Sequence, residues 1–278
     1  MTENGRRLLT GDGAKILGFL IFCVLVIAFV DFLPFQKSIA VWLRPLLVLA
    51  VSWFCLKAEN QTLSAIGFRI SVKFFRDLLL GVLVGMAIIF TSAFSIVLFG
   101  GLAFERVSGA GLGALFFPLV SFLAAGIFEE LLFRGYAFQR TVRRLGRAFA
   151  LLLFALFFVA VHLGNPGMEG TAMIWACINI GIASVLLGLA WIRTNSLALP
   201  IGIHVGWNWT QGGILGFGVS GAKSVGYFAP VYLGAPQWMT GGEFGLEAAL
   251  PTAVAALAAC VLLAARWPLG GLGKSGAC

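Results

Sequence analysis

Eight long apolar runs dominate the chain and decide what it can fold into. They lie near residues 16–33, 39–57, 77–99, 112–138, 148–163, 171–192, 196–217 and 247–265. A helix of roughly 20 mostly apolar residues crosses the hydrocarbon core of a bilayer, so each run is a candidate span. The runs are continuous rather than alternating, which argues against a membrane β-barrel. Hydrophobic residues make up 60% of the 278, charged residues 11%, and mean hydropathy is +1.00. A soluble domain carries about a quarter charged residues. The expected fold class is therefore all-α, a polytopic transmembrane helical bundle of about eight spans. One transmembrane domain, 16–265, is expected between two tails, 1–15 and 266–278.

The net charge of +8 raises nucleic acid as a partner, but its placement argues against that. Arg6, Arg7 and Lys15 precede the first span. Lys57, Arg69, Lys73 and Arg76 lie between the second and third, and Arg140, Arg143, Arg144 and Arg147 between the fourth and fifth. Arg193 follows the sixth, and Arg266 and Lys274 follow the last. The positive-inside rule puts all of these on the cytoplasmic side, with both termini cytoplasmic. Membrane lipid is then a partner and nucleic acid is not. The first run is read as an uncleaved span, because no small-x-small cleavage site follows it. Short loops and a compact chain favour a bacterial inner membrane.

Several segments between the runs carry local expectations. SAIGFRISVKFFRD reads as a short interfacial helix. Residues 1–15 read as a poorly ordered tail. The Gly- and Pro-rich stretch 218–246 reads as a loop or a re-entrant cover. GLGKS near the C-terminus lacks the first glycine of a P-loop, since Pro268 stands there. The cysteines show no CxxC pairing and imply no disulfide framework. Small residues at four-residue spacing, such as Gly81/Gly85 and Gly202/Gly206, let helices approach closely in lipid.

Ionisable groups inside the apolar runs are the functional signal, because they are costly in lipid and face a protein interior or a water-filled cavity. The only two histidines, His162 and His204, both fall there, as do Glu129, Glu130 and Arg134. Residues four apart share one helix face. That spacing pairs Glu130 with Arg134, Phe158 with His162, and His204 with Asn208. Glu130 and Arg134 make an intrahelical ion pair. Glu129 points about 100° away on the helix and has no local partner, which suits a general base. His162 is placed to share a water with Glu129 or to bind a metal, with Phe158 packed beside it. His204 and Asn208, aimed at one point, would stabilise an oxyanion. Counted from the span ends, His162 falls near the outer end and His204 near the inner end, and Pro200 is expected to break the seventh span. No GxSxG and no HExxH is present.

The ordered set EExxxR at 129–134, FxxxH at 158–162 and HxxxN at 204–208 resembles the CPBP family, the CAAX prenyl protease and bacteriocin-processing group, also called Abi. The surrounding EELLFRGYAFQR and NSLALPIGIHVGWN are similar to it as well, and the resemblance covers a core at about 112–212. It implies an intramembrane glutamic endopeptidase, a hydrolase of peptide bonds. Glu129 would activate water, with His162 positioning it, and His204 and Asn208 would form the oxyanion hole. Glu130, Arg134 and Phe158 would support the site. No cofactor is implied, although residue type leaves a metal on Glu129, His162 and His204 open, and with it a zinc-dependent mechanism. The expected substrate is a peptide or prenylated protein, by CAAX or leader-peptide processing. The alternatives are a non-catalytic immunity or scaffold protein and, less favoured, a transporter. Oligomeric state is left open.

Overall fold

A computed structural model describes residues 3–32 and 37–265. The GLGKS stretch, Arg266 and Lys274 lie outside the described residues. The chain is about 75% helical. In order come α1 (Glu3–Phe32), α2 (Lys37–Lys57), α3 (Val72–Leu98), strand β1 (Leu102–Arg106), α4 (Gly113–Arg134), α5 (Tyr136–Leu145), α6 (Arg147–His162), α7 (Gly170–Thr194) and α8 (Ala198–Asn208). Strand β2 (Phe228–Tyr232), the short α9 (Gln237–Thr240) and α10 (Leu250–Ala265) complete it. Four helical stretches are long and apolar enough to cross a membrane: Gly11–Val30, Val72–Leu98, Gly113–Leu145 and Gly170–Thr194. Arg147–His162 and Leu250–Ala265 are shorter apolar helices. Large apolar side chains cover the outside, among them Phe22, Phe29, Phe94, Leu156, Val254 and Leu262. An exterior of that kind fits hydrocarbon, not water. The chain is an integral membrane protein.

The helices start and stop for local reasons, and several differ from the sequence reading. Helix α1 begins at Glu3, so most of the expected tail is helical. The expected interfacial helix shrinks to one tight turn, Leu63–Ile66, ended by Gly67 at φ +78°. Helix α3 starts afresh at Ser71, whose Oγ accepts the Phe74 N–H at 3.2 Å. The run 112–138 is two helices broken at Gly135, where a Cβ would lie 2.1 Å from the Leu131 carbonyl oxygen. The predicted break at Pro200 is absent, because Pro200 sits in the first turn of α8, where its missing N–H has no partner to lose. Beyond Asn208 the helix widens into a π turn, Trp209–Ile214. The all-α expectation also misses a two-stranded antiparallel ribbon, in which β1 pairs with β2 and Phe104 faces Pro230.

The tightest junction is between α3 and α8. A Cβ on Gly81 would lie 2.4 Å from the Leu199 oxygen, and one on Gly85 2.2 Å from the Ile203 oxygen. From the other side, a Cβ on Gly202 or Gly206 would lie 2.1 Å from the Leu78 or Val82 oxygen. The two backbones therefore touch, which small residues at this spacing permit. Apolar packing fills the remaining spaces, with Leu131, Phe138, Phe154, Phe158 and Val205 in one cluster. Ile89, Leu186, Ile203, Trp207 and Phe217 belong to a second.

Several basic residues make ion pairs between helices. Arg140 bonds Asp12 at 3.3 Å and also pairs with Glu59, while Arg144 pairs with Asp12. Lys15 reaches Glu59 at 3.2 Å, and the Tyr136 hydroxyl donates to Glu59 at 2.8 Å. This network ties α1 and the end of α2 to α5.

Candidate active site

The residues singled out from the sequence meet at one place. Glu129, Phe158, His162, His204 and Asn208 line a single cavity of about 50 Å³, together with Asn179, Trp207, Ser220 and Glu247. That volume holds a few waters, since one water needs roughly 10–15 Å³ by the same measure. His162 and His204, expected near opposite ends of their spans, reach it together.

Helix α4 carries both glutamates, and the 3.6-residue turn sends them different ways. Glu130 is fully buried. Its Oε1 accepts from Arg134 Nη1 at 3.2 Å, the intrahelical pair expected from the spacing. It also lies 2.9 Å from His204 Nδ1, a contact that spacing does not reveal. Arg134 in turn donates from Nη2 to Ser184 Oγ at 2.9 Å and to the Ser184 carbonyl at 3.1 Å. Its guanidinium stacks over the Phe158 ring at 4.8 Å. A buried charge is tolerable only when paired and hydrogen-bonded, and Arg134 has both forms of support.

Glu129 keeps partial exposure, its side chain at 23%. It has no partner on its own helix among the contacts described, but a distant one: Oε2 lies 3.8 Å from His204 Nε2. The imidazole of His204 therefore sits between the two carboxylates. A carboxylate only accepts, so Nδ1 carries the proton shared with Glu130. A second N–H, at Nε2, exists only in the imidazolium form.

His162 ends α6, and its Nδ1 lies 2.6 Å from the Phe158 carbonyl oxygen. A carbonyl accepts and does not donate. Nδ1–H is thus the donor, and Nε2 of the neutral ring is left as an acceptor. The Phe158 ring packs on the imidazole with centroids 4.6 Å apart. Phe158 is thereby wedged between His162 and Arg134. Asn208, 8% exposed, completes the sequence-derived set one turn beyond His204.

Three lining residues escaped the sequence reading. Asn179 on α7 donates from Nδ2 to the Ala249 carbonyl at 3.0 Å, and its buried Oδ1 has no partner. A polar residue in the middle of WACINIGIAS was the available signal. Ser220 lies in the stretch 218–246 and Glu247 in the turn just after it, where the Ser220 hydroxyl donates to Glu247 Oε2 at 3.0 Å. Nothing local distinguished Ser220 from other loop residues, whereas Glu247, an acidic residue opening the run 247–265, carried a signal that went unread. Among the described residues, no three His, Cys, Asp or Glu side chains group so as to hold a metal ion.

No curated protein and no solved structure matches this chain. Residues 111–210 do match a family model, described as type II CAAX prenyl endopeptidase, Rce1-like. The matched stretch contains every motif residue from Glu129 to Asn208 and most of the cavity wall, and over that stretch the chain is similar to this membrane protease family, in keeping with the CPBP resemblance.

Proposed function

We propose that this protein is an intramembrane glutamic endopeptidase that hydrolyses a peptide bond with a water activated by Glu129 and His162. The observation that carries the reading is the common cavity, lined by the acceptors Glu129 and His162 and by the donors His204 and Asn208. A water between Glu129 and His162 Nε2 loses its proton to Glu129 as its oxygen attacks the scissile carbonyl carbon. The resulting oxyanion is held by His204 Nε2–H and the Asn208 amide. Glu130 supports His204 in the doubly protonated form that this role requires, through the bond at Nδ1. Collapse of the tetrahedral intermediate then frees the amine.

The substrate class follows the family description: the C-terminal peptide of a prenylated protein, with leader peptides as the second class. We read α1, α2, α3, α4, α6, α7, α8 and α10 as the eight crossings, with the arginine-rich end cytoplasmic.

The test is proteolysis by purified wild type, Glu129→Ala and Glu129→Gln on a quenched prenyl-peptide and a peptide library, with and without a chelator. Cleavage that survives the chelator and disappears in both variants is expected. Cleavage lost to the chelator would make the enzyme a metallopeptidase, and full cleavage by Glu129→Gln would remove the glutamate mechanism.

A further inference from the structure

Glu247 is the one cavity carboxylate that no sequence motif includes. It lies in a tight turn, Leu246–Ala248, between Gly245 at φ +100° and the start of α10 at Leu250. It is therefore outside that helix. Its side chain is 9% exposed and lines the same cavity as Glu129, His162, His204 and Asn208. Both the backbone N–H and the hydroxyl of Ser220 donate to Oε2. Among the described residues no hydrogen bond reaches Oε1. An oxygen that accepts two donors is a poor seat for a proton, so a proton on this carboxyl sits on Oε1 and is presented to the cavity.

Peptide hydrolysis has two proton tasks, one at the attacking water and one at the leaving amine. An amine is too basic to leave as an anion, so its nitrogen must gain a proton as the C–N bond breaks. Glu129 can hand on the proton it takes from the attacking water, as the base of a hydrolytic triad does, so a separate acid is set apart here by its position and not by chemical need. His204 has Nδ1 on Glu130 and Nε2 assigned to the oxyanion. His162 gives its N–H to the Phe158 carbonyl and offers only an acceptor at Nε2. Glu247 is the remaining titratable group.

Resting on the peptidase reading above, we propose that Glu247 is a further catalytic residue, the general acid that protonates the leaving amine. Water forms the new C–O bond and gives its proton to Glu129. The C–N bond then breaks, its electron pair stays on nitrogen, and nitrogen takes the proton from Glu247 Oε1. The cycle closes when the proton held by Glu129 passes through cavity water to Glu247. The net reaction consumes one water and yields one carboxyl and one amine group.

The surroundings of Glu247 favour the protonated form needed. Burial pushes its carboxyl above the usual carboxylate range, against the lowering pull of the Ser220 donors and of His162 and His204. Glu129 on α4 lines the same cavity. The Glu130–Arg134 pair lies behind His204, and α7 contributes the uncharged Asn179.

The experiment compares Glu247→Gln with wild type on one peptide presented as an amide and as a p-nitrophenyl ester, whose phenolate leaves without a proton. Glu247→Gln is expected to lose about 10²–10³-fold in kcat on the amide and to stay within about threefold on the ester, since only the amine needs the acid. Wild-type amide turnover is expected to fall as pH rises through the Glu247 pKa. Ser220→Ala, which removes a donor favouring the carboxylate, should move that fall to higher pH, and this keeps a test available should Glu247→Gln fold poorly. Equal losses on ester and amide, or an unchanged alkaline limb in Ser220→Ala, would overturn the assignment while Glu129→Ala stays inactive. Activity in Glu129→Ala would bring down both readings together.

Discussion

His204 and Glu130 meet across 74 residues of sequence, with Nδ1 and Oε1 2.9 Å apart. This bond joins α8 to α4 and continues through Arg134 to Ser184 on α7. Glu130 is thus more than a partner for Arg134. Replacing it with Gln keeps the shape and removes the charge that supports a doubly protonated His204. A fall in kcat of about 10²-fold is expected, on the scale of losing an oxyanion donor, with KM little changed. Glu130→Ala should also lower Tm, because leaving Arg134 buried without its carboxylate costs about 3–5 kcal/mol. Steady-state kinetics and thermal unfolding in detergent check the two effects separately.

Ser184→Ala removes one of two acceptors from Arg134 Nη2 and leaves the Ser184 carbonyl at 3.1 Å. The expected cost is about 1–3 kcal/mol of stability, the range for an unsatisfied buried donor. Activity should fall much less than in Glu130→Gln, since Glu130 still holds His204. A loss of turnover equal to that of Glu130→Gln would show that Arg134 itself acts on the chemistry.

Gly206→Ala tests whether the α3–α8 contact positions the site. The new Cβ would lie 2.1 Å from the Val82 carbonyl oxygen, so the helices must separate and carry His204 and Asn208 with them. Both Tm and kcat should drop. Gly181→Ala is the control, because its Cβ would meet only Val159 Cγ2 at 3.8 Å. That change should be neutral or stabilise by up to about 1 kcal/mol through helix propensity.

Arg140→Ala removes the charge that joins Asp12 to Glu59. Helix α1 should then loosen at its polar end, seen as faster protease cleavage or amide exchange near Asp12. The cavity is walled by other helices, so turnover should stay within a fewfold of wild type. A collapse of turnover would mean that α1 contributes to the site from a distance.

What the sequence revealed follows a physical boundary. Glu130 with Arg134, Phe158 with His162, and His204 with Asn208 are legible because residues four apart on a helix must be neighbours. The long apolar runs are legible because a bilayer demands them. The partnership of Glu130 with His204 and the clasp of Ser220 on Glu247 have no such local rule, since they depend on how distant segments pack. The same is true of the ribbon between β1 and β2. Pro200 misled because a proline early in a helix is harmless while one in the interior is not. The ion pairs of Arg140 and Arg144 with Asp12 and Glu59 were hidden for the same reason, since their partners lie far off in sequence.

The contact of Gly81 and Gly85 with Gly202 and Gly206 has a consequence for how this site can diverge. The touching atoms are peptide groups, which every sequence shares, so no exchange of side chains can adjust the fit. A shift in register that keeps the glycines opposed moves α8 by a whole helical turn, about 5.4 Å, and takes His204 out of reach of Glu130. Helix α8 is therefore frozen against its neighbour, and variation in what the cavity accepts is channelled to the other wall, where Ser220 and Glu247 stand on irregular backbone.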